Sequence, residues 1–175
     1  MLNKLADALH DRMVAAGVQN APSAPVMTYA FQILTNTLSA AFGAMLIGAI
    51  TGTFTATLIT LLVFATIRYL SGGYHLKSGY LCTAVSIAVL VAIPHVSLPH
   101  SYIPYITGFS IIMMLIFAPA NYDKYATLPE RYYPLLKLIS ASFAALNFFF
   151  VSELLAVIFG LQSILLLFKS RSEEE

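Results

Sequence analysis

The chain has 175 residues, the length of one domain, and 59% of them are hydrophobic while only 10% are charged. A soluble domain carries about 25% charged residues, so a buried core does not account for this composition. We therefore predict an all-α protein that crosses the lipid bilayer several times. The net charge of +1 gives no indication of nucleic-acid binding, and a single cysteine excludes an internal disulfide.

The first segment, residues 1–22, predicts an amphipathic helix that lies on the membrane surface. Leu2, Leu5, Leu9 and Met13 recur at helical spacing, and most of the charged side chains fall on the opposite face. Those charges also interrupt the segment too early for a secretory signal. An ordinary packing helix is the alternative interpretation.

Residues 26–168 predict a bundle of membrane-spanning helices within one membrane-embedded domain, residues 1–175. Each crossing needs about 20 residues, and clusters of glycine and proline divide the segment. We expect about six short or tilted spans, near residues 28–48, 53–70, 80–93, 102–118, 134–151 and 153–168. Residues 169–175 form a polar tail.

The basic residues follow this division. All nine lysines and arginines fall near the two termini, or in or beside the second and fourth loops between the predicted spans. The other loops have none. Because cytoplasmic loops carry the excess of Lys and Arg, we predict that both termini and the second loop face the cytoplasm.

The second loop combines His75 with Cys82, the only cysteine of the chain. A nucleophilic cysteine needs a base or an ion-pair partner, because the thiolate is the reactive form. On one straight helix these residues would lie about 10.5 Å apart along the axis, too far for a hydrogen bond. We therefore predict an irregular segment around His75, permitted by Gly72 and Gly73, with Cys82 in the first turns of the next helix. There the helix dipole favours a thiolate.

Neighbouring residues have candidate supporting roles. Arg68 and Lys77 add positive potential, Ser78 or a backbone carbonyl is available to orient His75, and Arg68 or backbone N–H groups are candidate oxyanion donors. The spacing alone also fits a small core cysteine or a palmitoylated one at Cys82. The other histidines lie far from this loop in the predicted topology, so we expect neither a metal site nor a cofactor.

Two elements resemble those of a known family, the accessory gene regulator B family. The first has the spacing Arg-x3-Gly-Gly-x-His-x6-Cys and consists of Arg68, Gly72, Gly73, His75 and Cys82. The second follows the fourth predicted span: residues 117–120, Phe-Ala-Pro-Ala, with Lys124 and Arg131 after them. The combination is specific, although neither element would be so alone.

The resemblance implies a multi-pass cysteine endopeptidase of the cell membrane, acting in quorum sensing. Such a protein removes the C-terminal tail of a short AgrD-like propeptide, with Cys82 as nucleophile and His75 as base. The acyl-enzyme then lets the peptide close into a thiolactone or lactone ring. Basic residues, Lys77, Lys124 and Arg131 among them, would attract an acidic substrate tail. The resemblance also implies a homodimer.

Two other functions compete with this hypothesis. A small transporter or peptide exporter would use polar residues that converge at mid-membrane, and the candidates are Gln32, Asn36, Asn147 and Gln162. Contacts between helices explain these amides more simply. A scaffolding protein without chemistry would have no need for His75 and Cys82 at this spacing.

Overall fold

The computed structural model describes residues 2–73, 78–120 and 129–168. Most of these residues are helical and none of them forms a β-strand, which confirms the predicted all-α class. The α-helices of the described segments are α1 (Leu2–Ala15), α2 (Ala24–Ile50), α3 (Phe54–Ser71), α4 (Gly79–Ala92), α5 (Ile103–Phe117), α6 (Tyr133–Ala145), α7 (Asn147–Phe150) and α8 (Glu153–Leu166). Short 3-10 turns precede α5 and α6 and follow α4.

Four helical segments of the described chain are long and apolar enough to cross a membrane. They are Ala24–Ile50, Phe54–Ser71, His100–Phe117 and Glu130–Phe150. Helices α4 and α8 are apolar but have only 14 residues each, about 21 Å against a hydrocarbon thickness of about 30 Å. The chain is therefore a multi-pass membrane protein, while the count of six spans and the surface position of α1 stay predictions.

Proline determines where several helices begin. Pro25, Pro104 and Pro134 are each the second residue of a helix, namely α2, α5 and α6. Proline is tolerated in the first turn because the N–H that it lacks would have no partner inside the helix. Helix α2 accordingly starts before the expected residue 28 and includes Pro25.

The span expected over residues 134–151 corresponds in the structure to α6 and α7, which only Leu146 separates. Helix α6 ends at Ala145, and Val151 adopts a left-handed conformation with φ of +46°. The buried Asn147 holds this turn: its Nδ2 donates to Thr107 Oγ1 (3.0 Å) and to the Ser152 carbonyl (3.2 Å), while its Oδ1 accepts from the Ser152 N–H (3.0 Å). One side chain thus pairs with both backbone polar groups of Ser152, at the turn that follows α7.

The chain divides into two compact units, and α2 and α4 contribute residues to both. The described part of the larger unit comprises residues 44–73, 88–120 and 129–168. In it α3, α5, α6 and α8 pack against one another around buried apolar side chains that include Ile67, Met114 and Phe159.

Buried hydroxyls accompany this apolar core. Several of them donate to the carbonyl four residues earlier in the same helix, as Thr60, Ser110, Ser140 and Ser163 do. Each hydroxyl proton is therefore satisfied without water. Small hydroxyl residues also let helices approach closely, as is typical of helix contacts in membranes.

The smaller unit comprises, among the described residues, 2–43 and 78–87. Helices α2 and α4 lie close together in it, because a Cβ on Gly43 would be 2.7 Å from the Ile87 Cδ1 atom. His10 Nδ1 lies 2.8 Å from the Pro22 carbonyl oxygen and ties α1 to the segment before α2.

Candidate active site

Helix α3 ends where the glycine pair begins. The Gly72 N–H still donates to the Arg68 carbonyl (2.9 Å), but Gly72 itself has φ of +70° and ψ of −153°. Only glycine adopts this combination without strain. The chain therefore leaves the helix two residues before residue 74, in agreement with the predicted break. His75 and Lys77 lie outside the described residues.

The glycine pair is joined to the second sequence element, residues 117–120. The Gly73 N–H donates to the Ala120 carbonyl (3.0 Å) and the Ala120 N–H donates to the Ser71 carbonyl (2.9 Å), which makes a short parallel bridge. A Cβ on Gly72 would run into the Ala120 carbonyl oxygen and lie 3.0 Å from the Ala120 nitrogen. Two motifs that are far apart in the sequence thus form one structure.

Gln162 of α8 completes this structure. Its side chain is fully buried, and its Nε2 donates both to Ser71 Oγ (2.8 Å) and to the Gly72 carbonyl (2.7 Å). The Ser71 hydroxyl in turn donates to the Ile67 carbonyl (2.7 Å). We refer to Ser71, Gly72, Gly73, Ala120 and Gln162 as the Gly-Gly junction.

Arg68 lies beside this junction in the last turn of α3. Its guanidinium carbon is 6.0 Å from the centroid of the Phe64 ring, within cation–π range. Its Nη1 atom lies against Gly73, where a Cβ would be only 2.8 Å away. The positive charge is therefore held at the carboxyl end of α3, where it is electrostatically favourable. Its role as an oxyanion donor stays a prediction.

Cys82 is the fourth residue of α4, in agreement with the predicted position in the first turns of that helix. Its N–H donates to the Ser78 carbonyl (2.9 Å), and the Leu81 N–H approaches Ser78 Oγ at 3.5 Å. Ser78 therefore occupies the cap position of the helix, which is a structural role that the sequence analysis did not assign to it. The Cys82 side chain is partly buried and its thiol is free. It thus lies in the first turn, where the helix dipole favours an anion.

The three candidate substrate-binding residues are described only in part, because Lys124, like Lys77, lies outside the described residues. Arg131 lies in the 3-10 turn before α6, with its guanidinium carbon 4.9 Å from the Tyr132 ring centroid and its Nη2 donating to the Tyr132 hydroxyl (3.1 Å). No group of three or more His, Cys, Asp or Glu side chains within the described segments is placed to hold a metal ion.

The model of the accessory gene regulator B family (AgrB) matches residues 2–168, nearly the whole chain. The chain belongs to the AgrB family. An AgrB-like protein of Halalkalibacterium halodurans is 29% identical over 110 residues, which cover 63% of this chain and 56% of that relative. The match thus spans little more than half of the relative's length. No solved structure matches the chain.

Membership in the AgrB family connects the chain with the agr quorum-sensing system. The polar residues that a transporter would use have separate structural positions in this AgrB protein. Gln162 belongs to the Gly-Gly junction, Asn147 holds the turn before α8, and Asn36 packs against Gly79. Gln32 lines a cleft of about 370 Å³ between α1 and α2.

The sequence analysis missed the role of Gln162 and named it only as a candidate for the transporter hypothesis. Its signal in the sequence is a glutamine within a hydrophobic segment that has no Asp, Glu, Lys or Arg from residue 154 to 168. A buried amide requires hydrogen-bond partners, so the sequence does indicate that Gln162 has them. It does not indicate which residues they are.

Proposed function

We propose that this AgrB protein is a membrane-embedded cysteine endopeptidase that removes the C-terminal tail of an AgrD-like propeptide. Cys82 is the nucleophile and His75 is the general base. The observation that supports this most directly is the position of Cys82, a partly buried free thiol in the first turn of a helix capped by Ser78. The N-terminus of a helix is a typical environment for a reactive cysteine.

The proposed reaction needs no cofactor. His75 takes the thiol proton of Cys82, and the sulfur attacks the carbonyl carbon at the cleavage site. The peptide C–N bond breaks, His75 returns the proton to the leaving amine, and a thioester remains on Cys82. A thiol or hydroxyl within the retained peptide then attacks the thioester, closing a thiolactone or lactone and releasing Cys82 with its proton restored through His75.

The membrane setting fits this second step. A thioester that waits for an internal nucleophile must be protected from water, and an apolar environment excludes water. We further propose that the cytoplasmic basic residues Lys77, Lys124 and Arg131 attract an acidic propeptide tail, and that the protein acts in the cell membrane with the reactive segment on the cytoplasmic side. Homodimerisation belongs to the same proposal.

The dyad is tested by separate substitutions of its two members. Cys82→Ala and His75→Ala are each expressed together with a tagged AgrD-like propeptide, and the cleaved tail is measured by mass spectrometry. We expect both variants to release no tail above background, because each removes a group needed to break the peptide bond. His100→Ala is the matched control and should cleave normally. Normal cleavage by either dyad variant would rule out the proposed mechanism.

A further inference from the structure

We propose that Gln162 is a positioning residue for His75, acting from α8 through the end of α3. This inference rests on the proposed Cys82–His75 chemistry and adds a residue that contributes to it without touching the substrate. Gln162 holds Ser71 Oγ and the Gly72 carbonyl through one amide nitrogen, at 2.8 Å and 2.7 Å. Along the chain, the Gly72 carbonyl is only three residues before His75.

The hydrogen bonds of the Gly-Gly junction hold different backbone groups of the same three residues. The parallel bridge fixes the Ser71 carbonyl and the Gly73 N–H against Ala120, while Gln162 fixes the carbonyl of Gly72 between them. Three successive residues at the end of α3, Ser71 to Gly73, are thereby held from two sides. Without Gln162, the Gly72 peptide would lose the hydrogen bond donated by the α8 side chain, and glycine itself does little to restrict the backbone.

The other end of the Gln162 amide indicates that stability alone does not explain the residue. Its Oε1 atom is buried, and no described residue donates a hydrogen bond to it. A buried acceptor without a partner costs free energy. A leucine or methionine would fill the same space without that cost. The function of glutamine at this position is therefore to bind Ser71 Oγ and the Gly72 carbonyl through its side-chain nitrogen.

The single cysteine provides a direct measurement, because every thiol reaction of this chain reports on Cys82. The full chain is reconstituted in lipid vesicles and alkylated with iodoacetamide, and the rate is measured at about pH 6.5 and about pH 9.5, below and above the ordinary pKa of a thiol. The rate ratio is the rate at about pH 6.5 divided by the rate at about pH 9.5. It measures how far His75 promotes formation of the thiolate at the lower pH, since at the higher pH the thiolate forms without help.

The variants are Gln162→Met, which keeps the volume and removes both donors, and Ser71→Ala, which removes one acceptor and leaves the Gly72 bond. Asn147→Leu is the matched control: it also removes a buried amide with two donated bonds in the same unit, but away from the junction. We expect Gln162→Met to lower the rate ratio about tenfold, Ser71→Ala to lower it less, and Asn147→Leu to leave it unchanged. His75→Ala sets the lower limit.

The outcomes separate the two proposals. If the wild-type ratio equals that of His75→Ala, the dyad is wrong and the positioning role is wrong with it. If the wild type depends on His75 but Gln162→Met matches the wild type, only the positioning role is wrong. If Asn147→Leu lowers the ratio as much as Gln162→Met, the effect is general loosening of the bundle, which also overturns the positioning role. Ser71→Ala keeps the test valid if Gln162→Met does not fold.

Discussion

Gly72→Ala should destabilise this AgrB protein severely. The new Cβ would collide with the Ala120 carbonyl oxygen, and the backbone angles of Gly72, φ +70° and ψ −153°, are strained for any L side chain. Relief of the collision would separate the bridge and break the Gly73–Ala120 and Ala120–Ser71 hydrogen bonds. Strain of about 1–3 kcal/mol and two lost bonds of about 0.5–1.5 kcal/mol each give about 2–6 kcal/mol in total.

Gly52→Ala is the matched control for this substitution. Gly52 also has a positive φ, +74°, but a Cβ there would meet no atom within 4 Å. It should cost only the conformational strain, about 1–2 kcal/mol. The assay is the free energy of unfolding in detergent micelles, followed by circular dichroism during titration with a denaturing detergent. If Gly72→Ala costs no more than Gly52→Ala, the close approach of Ala120 is not what requires glycine at this position.

Two further predictions concern the turn before α8 and the basic residues. Asn147→Leu should lower the free energy of unfolding by about 1–3 kcal/mol, because the Ser152 N–H and Thr107 hydroxyl lose their amide partner; an unchanged midpoint in the same titration would contradict this. Reversal of Lys124 and Arg131 to Glu should slow cleavage of an acidic-tailed propeptide, by about tenfold at low salt and less as salt screens the charges. Mass spectrometry of the released tail across a salt series measures this, and equal rates for the reversed and wild-type proteins would refute the electrostatic attraction.

The helix boundaries were largely predictable because local residues determine them. Pro104 and Pro134 lie in the first turns of α5 and α6, and Gly72 ends α3, each through backbone restrictions that can be read directly from the sequence. The packing of the turn before α8 was not predictable in this way. It includes the hydrogen bond from Asn147 to Thr107, which is 40 residues away in the sequence.

In the candidate site, too, some features are determined by neighbouring residues and others by tertiary packing. Cys82 at the start of α4 and the helix break at Gly72 follow from neighbouring glycines and serine, and the structure has both. The contact between Gly72 and Ala120 and the hydrogen bonds of Gln162 depend on tertiary packing. The sequence shows that a buried amide such as Gln162 needs hydrogen-bond partners, but only the tertiary structure shows which residues they are.

The distance along the chain between Gln162 and Ser71, 91 residues, has a consequence for biosynthesis. A ribosome completes residues 68–82, and with them the whole Arg-Gly-Gly-His-Cys motif, long before it reaches α8. A nascent or truncated chain that stops before residue 162 therefore carries Cys82 without the amide that holds the end of α3. The order of synthesis makes α8 the element that completes the Gly-Gly junction, after every other part of it has been synthesised.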